Sequence, residues 1–140
     1  MKFSLVKGDI DEFAILDDKL PENLDKLLVD NSIRAKIDIK EKILALVNTV
    51  KYISNDKDLL KLRSILYFKI EESSWNEINK DNKIIIEKKY LQHMGIIIIG
   101  ASRGMLIAKC NNTVFSKLIL PQIKISELLF EDIIFDIDNE

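Results

Sequence analysis

The sequence predicts an α+β domain, with an antiparallel sheet in its first half and helices in its second. Three observations carry this. Apolar and polar residues alternate at Ile33, Ala35, Ile37 and Ile39, and again through Leu60, Leu62, Ser64, Leu66, Phe68 and Ile70, which is the period of half-buried strands. A polar cluster, Ser54-Asn55-Asp56-Lys57-Asp58, separates residues 43–53 from the second run and marks a hairpin with a five-residue turn. From about 84 to 110 the chain then runs without a proline or a turn cluster, a length that fits a helix.

Taken in order, residues 2–16 hold two apolar runs, Phe3-Ser4-Leu5-Val6 and Phe13-Ala14-Ile15-Leu16, around Gly8-Asp9. They predict one bent strand or two short ones. Residues 17–31 are acidic, contain Pro21 and predict a loop with at most one helical turn. A strand follows from Ile33, and Lys40-Glu41-Lys42 interrupts it. Residues 43–53 fit strand or helix by composition; the turn cluster behind them favours strand. Ser73-Ser74-Trp75 breaks the alternation, and Ser74 is placed to cap a short helix.

The long helix is expected after a short extended start at 84–86. Wound at about 100° per residue, Tyr90, Met94, Ile98, Ala101, Met105 and Ala108 share one face. Ile96, Ile99, Leu106 and Ile107 fall opposite, with Arg103 among them. A helix apolar nearly all round is buried all round. The chain beyond the helix, a loop and one short helix, is too little to cover a second face. These four residues are therefore expected at the interface of a homodimer or homotetramer. Asn111-Asn112-Thr113 ends the helix. Residues 114–125 should be extended around Leu120-Pro121, with a short helix near 126–132 and an acidic tail, Asp136-Ile137-Asp138-Asn139-Glu140.

Composition narrows the function. The 140 residues make a single domain, 1–140; 47% are hydrophobic and 31% charged, which excludes a disordered tail. Ile alone occurs 24 times, consistent with sheet. The 21 basic residues, 18 Lys and 3 Arg, face 23 acidic ones, so no nucleic-acid surface is expected. One Cys and one His exclude a disulfide framework and a Cys/His metal cage. The longest apolar run, Met94 to Ala101, falls short of the roughly 20 residues of a membrane span. Acidic residues occupy the place of a signal core, so a cytoplasmic protein with Cys110 as a free thiol is expected.

Candidate chemistry is sparse. Gly95-Ile96-Ile97-Ile98-Ile99-Gly100-Ala101-Ser102 has the spacing of a phosphate-binding loop, but Ala101 stands where the lysine belongs. The stretch IIIIGASRGML resembles the opening of short-chain dehydrogenases, yet its third glycine is Leu106 and too little chain follows for the βα units of a dinucleotide fold. His93 stands alone, without a nucleophile to serve. Cys110 has Lys109 beside it, a neighbour that lowers a thiol's pKa. The acidic runs read as solvated faces. No catalytic residue, metal or cofactor is expected. Tyr52, Tyr67, Phe68 and Trp75 are either ordinary core or the lining of a groove for apolar peptide segments.

The last third carries a pattern of another kind. Arg103-Gly104 lies in the second half of the long helix, Asn112-Thr113-Val114-Phe115 follows, and then come Leu118-Ile119-Leu120-Pro121 and Ser126-Glu127-Leu128-Leu129. In order and spacing this resembles the SecB family of protein-export chaperones. The resemblance implies a four-stranded antiparallel sheet followed by a long helix and a short C-terminal helix, assembled as a dimer of dimers. It also implies nucleotide-independent holding of unfolded polypeptides in apolar grooves, without enzymatic activity. Family members serve the Sec translocase, docking on its motor, or act as dedicated chaperones of antitoxins in toxin–antitoxin–chaperone systems. The family's last segment is usually Asn/Gln-rich and helical, whereas this chain ends Asp-Ile-Asp-Asn-Glu, which makes an antitoxin client as plausible as general export. A non-catalytic subunit binding one partner is the competing reading. Tyr52, Tyr67, Phe68 and Trp75 are the expected client-binding residues.

Overall fold

A computed structural model describes residues 1–137. The last three tail residues, Asp138-Asn139-Glu140, lie outside the described residues. Four strands, β1 (Phe3–Ile15), β2 (Leu28–Asp38), β3 (Ile43–Ser54) and β4 (Lys57–Ile70), form one antiparallel sheet in the order β1-β4-β3-β2. After them come α1 (Glu72–Ile78), β5 (Asn79–Lys80), β6 (Lys83–Ile86), α2 (Lys88–Cys110), α3 (Ile125–Leu128) and β7 (Ile133–Asp136). The expected four-stranded α+β architecture with a long and a short helix is therefore present. A second sheet, in the order β5-β6-β7, was not expected. Its last strand includes the start of the expected acidic tail.

Local chemistry explains where the elements begin and end. Strand β1 is continuous through Gly8-Asp9 and absorbs its bend as two register shifts, between Leu5 and Lys7 and between Ile10 and Glu12. Strand β2 starts at Leu28, earlier than the apolar alternation indicates, because one inward position is polar: Asn31 donates to Asn48 Oδ1 at 2.9 Å. The β3–β4 turn is two residues, not five. Asn55 and Asp56 take φ of 51° and 61°, the left-handed pair of a tight hairpin, so Ser54 and Lys57 still pair. Asp81-Asn82 repeats the device between β5 and β6, with φ of 54° and 58°. Ser74 does not cap α1. It is buried inside the helix, and its Oγ accepts from the Lys2 backbone N–H at 2.7 Å.

Even-numbered residues of β3 and β4 point to one face of the sheet, and α2 packs on that face. Two apolar clusters lie between them. The first joins Leu44, Leu46, Leu66, Phe68 and Ile70 to Trp75, Ile84, Ile86 and the α2 residues Leu91, Met94 and Ile98. The second joins Val50, Tyr52, Leu59, Leu60 and Leu62 to Ile99, Leu106, Cys110, Phe115, Leu118 and Leu120. A buried polar belt crosses the middle of this layer. Asn48 Nδ2 donates to Ser102 Oγ at 2.8 Å, and Ser64 and Ser102 hydroxyls lie 2.6 Å apart. Each of these residues is fully buried, so the belt fixes the position of α2 over the sheet through hydrogen bonds that have no substitute in water. The clusters take their sheet residues from this inner face, and the outer face is left open.

The packing corrects one expectation about α2. Its buried residues are Leu91, Met94, Gly95, Ile98, Ile99, Ser102, Leu106 and Cys110, a stripe rotated from the one assigned by counting apolar residues. Ile99 and Leu106, expected at an oligomer interface, are 6% and 0% exposed in the chain's own second cluster. The segment after the helix, with Phe115, Leu118 and Leu120, folds back and covers them. By length and hydropathy alone this 23-residue helix could cross a membrane. Its inner stripe is instead the lid of the sheet.

Candidate polypeptide-binding surfaces

The four aromatic residues expected to bind a client do not form one groove. Tyr52, Phe68 and Trp75 are buried. Phe68 and Tyr67 are consecutive in a strand and therefore face opposite sides of the sheet. Tyr67 stands half-buried on the open outer face, with the Lys7 ammonium 5.5 Å from its ring centre. The strand period, visible in the sequence, already separates these two residues.

Exposed apolar groups occur at Ile85, Phe130 and Ile134, on and before the second sheet, and on three further surfaces. On α2, Ile96 and Ile107 are 62% and 53% exposed. Gly100 and Gly104 lie between them, and a methyl group added at either would meet nothing within 4 Å. Two glycines in a helix interior cost about 1 kcal/mol each relative to alanine, and nothing among the described residues packs against them to offset it. Alongside, Leu5, Val6 and Ile10 of edge strand β1 are exposed. A groove of about 460 Å³ runs between β1 and the start of α2, lined by Met1, Phe3, Leu5, Tyr90, His93 and Ile97. His93 stacks edge-on against Phe3 there, with ring centres 5.6 Å apart.

The third surface is the roof of the second cluster. Two segments without long regular structure cover it, residues 16–27 and 111–124. The first rests on the cluster through Leu20 and Leu27 and the second through Phe115, Leu118, Leu120 and Ile123. Beyond Asp17, the backbone hydrogen bonds of the first segment are local: Leu20 to Asp18, Lys26 to Asn23 and Leu27 to Leu24. Leu16, Leu24, Leu28, Val114 and Ile119 project from or beside this roof into solvent.

Arg103 secures the second roof segment. Its Nε donates to the Leu120 carbonyl and its Nη2 to the Pro121 carbonyl, both at 3.1 Å. Three of the four motif residues singled out in the sequence are thus brought together, and Gly104 stands apart on the open helix face. Arg103 serves as a clamp: carbonyls of an irregular segment need donors, and guanidinium supplies two in a fixed fork. At the other end of the roof, Gly95 lets α3 approach α2; a side chain there would meet Ile125 and Leu129 at 2.6 and 2.7 Å.

Beneath the roof lie two titratable groups. Burial pushes the Tyr52 phenol up to about 12, with Cys110 adding to the rise and Arg103 opposing it. Tyr52 Oη is buried without a hydrogen-bond partner among the described residues. Burial also raises the Cys110 pKa, the reverse of the effect expected from Lys109 beside it, so the thiol is held from its nucleophilic form. Among the described residues no group of three His, Cys, Asp or Glu side chains is placed to hold a metal ion. The arrangement offers apolar area and backbone-pairing edges.

No protein-family profile matches the chain, and no curated protein matches it in sequence. Its fold does match solved structures. One is the SecB-like chaperone Rv1957 of Mycobacterium tuberculosis, in complex with a ChAD peptide from the Rv1956 HigA1 antitoxin. The TM-score is 0.55 at 7% sequence identity, over 87% of this chain and 91% of that one. The chain therefore has a SecB-like fold.

Proposed function

We propose that this protein is a cytoplasmic, nucleotide-independent holding chaperone that keeps unfolded polypeptide segments from aggregating. The observation that carries the reading is the second cluster's roof. Its two segments carry exposed leucine, isoleucine and valine side chains and are held mainly by side-chain contacts. A client's apolar residues would occupy the exposed sites on this roof and partly replace Leu20 and Leu27 over the cluster. Large apolar patches on a protein surface mark interaction sites. The likeness of fold to a SecB-like chaperone supports the same reading.

The preferred client is a single antitoxin-like partner, a reading favoured by the antitoxin peptide bound to the similar structure. General export, with docking on the Sec translocase motor, is the second form of the activity. The exposed α2 face would be covered by the same face of a second copy. Ile96 and Ile107 flank Gly100 and Gly104, and the glycines would allow two helix backbones to approach closely. The assembly proposed on this face is a homodimer or homotetramer.

Dilution of a denatured client into buffer, with and without the protein, tests the activity by light scattering. Suppression without nucleotide is expected. Unchanged scattering across several unfolded proteins and an antitoxin would remove the holding function.

A further inference from the structure

The outer face of the main sheet is open and carries a hollow of about 470 Å³. Its lining gathers five cations, Arg34, Lys36, Lys51, Lys61 and Arg63, with Asp11 and Asp30, around the apolar floor of Val47 and Ile65. The concentration is uneven for a chain whose net charge is −2. Two of its three arginines stand here. On the β1 side the cations are internally neutralised: Arg63 pairs with Asp11 at 3.2 Å and Glu12 at 3.4 Å, and Lys61 with Glu12 at 3.4 Å. Lys51 pairs with Asp58 at 3.7 Å. On the β2 side Arg34 and Lys36 have no ion pair among the described residues.

Strand β2 is an edge of the sheet, and Arg34 and Lys36 are two residues apart on it, so both project from the outer face. Their spacing along the strand is about 6.5 Å, the repeat of alternate side chains in any extended chain. From this we infer that the β2 side of the outer face docks an acidic, extended segment of a partner polypeptide, with carboxylates at alternate positions set against Arg34 and Lys36. Charge complementarity selects the occupant. A nucleic acid fits less well: Asp11 and Asp30 lie in the hollow, three of the five cations are already paired, and a phosphate backbone needs a line of free cations. The surface is on the opposite side of the sheet from the roof, so the inference stands independently of the holding function.

The test uses the whole protein and a twelve-residue peptide of alternating Glu and Thr, with its Gln-Thr counterpart as control. Amide shifts would follow titration, with the variant Arg34→Gln/Lys36→Gln alongside. Both side chains are exposed, and an unchanged circular dichroism spectrum verifies that the variant folds. The expected result is shifts confined to β2 and the neighbouring β3, no binding of the Gln-Thr peptide, and affinity reduced about five- to tenfold in the variant, the worth of two exposed charge pairs. Equal binding of both peptides, or an undiminished affinity in the variant, would overturn the inference. So would tighter binding of oligothymidylate of the same length, which would make the face a nucleic-acid surface. A change of assembly state in the variant without loss of peptide binding would assign it to a second copy.

Discussion

The two apolar clusters under α2 are built from the same sheet and the same helix, yet they are closed differently. The first is covered by regular elements: α1, β6 and the first half of α2, with β7 hydrogen-bonded beside β6. The second is covered by the second half of α2 and, beside it, by irregular segments whose hold depends on Phe115, a few leucines and Arg103. Regular elements satisfy their own backbone groups and open only with the whole fold, whereas irregular cover opens locally at lower cost. The first cluster is therefore the more firmly closed half of the molecule, and under the proposed function the second is the half that would exchange its cover for a client. The Asn48–Ser64–Ser102 belt lies between them.

The largest effect expected is at Ile99. Ile99→Glu would bury an unpaired carboxylate in the second cluster and cost several kcal/mol, enough to unfold a marginal domain, as urea denaturation would show. Ile96→Glu, three residues away on the exposed face, should leave the urea midpoint almost unchanged and lower the assembly state in native mass spectrometry. Equal effects at the two positions would erase the distinction between the buried stripe and the open face.

Next comes the belt. Ser102→Ala leaves Asn48 Nδ2 and the Ser64 hydroxyl without their buried partner and should cost about 1–3 kcal/mol. The same urea experiment reads it. A neutral result would mean that the belt does not hold α2 to the sheet.

The alternation of β2 and β4 and the existence of α2 were legible because each depends on short-range periodicity, whereas β3, which fits strand or helix by composition, was placed by the turn cluster behind it. The rotation of α2's buried stripe was not. Counting apolar residues assigns a face only when the opposite face is polar, and here Ile96, Ile97, Ile98 and Ile99 run consecutively around the helix. Which of them is buried depends on the return of Phe115, Leu118 and Leu120, a contact between distant parts of the chain. The early start of β2 was hidden by Asn31, an inward polar residue whose partner Asn48 lies in another strand. At the candidate site, Arg103, Leu120 and Pro121 were found as a motif, but their hydrogen bonds required the fold. Tyr52, Phe68 and Trp75 turn out to be core because size and apolarity do not distinguish a groove from a core.

Tyr52 sharpens the comparison by pH. Its phenol is raised from 10.0 to about 12 in the folded chain. The neutral phenol therefore contributes stability that is complete below pH 10 and is lost as pH rises through about 12. Tyr52→Phe removes a buried hydroxyl that has no partner, so it should leave stability at pH 7 unchanged or raise it by up to about 1 kcal/mol. It should also flatten the loss of stability between pH 10 and 12 in thermal unfolding. A destabilised variant would show that the hydroxyl is bonded, and an undiminished pH dependence would show that another group is responsible for it.

A small, local effect is expected from Arg103→Lys. The charge is kept, but the fork that meets two carbonyls is lost. Global stability should fall by about 1 kcal/mol or less, while amide exchange in residues 118–124 accelerates. Unchanged exchange there would remove Arg103 as the clamp of the roof.

The central claim is that the irregular roof over the second cluster is where a client is held. Hydrogen–deuterium exchange of the whole protein, with and without a bound unfolded polypeptide, measures it directly. Residues 16–27 and 111–124 are predicted to change protection on binding, while the β3 and β4 residues under the first cluster stay as they were. Binding that leaves both roof segments unchanged and alters only the first cluster or the outer sheet face would contradict the account.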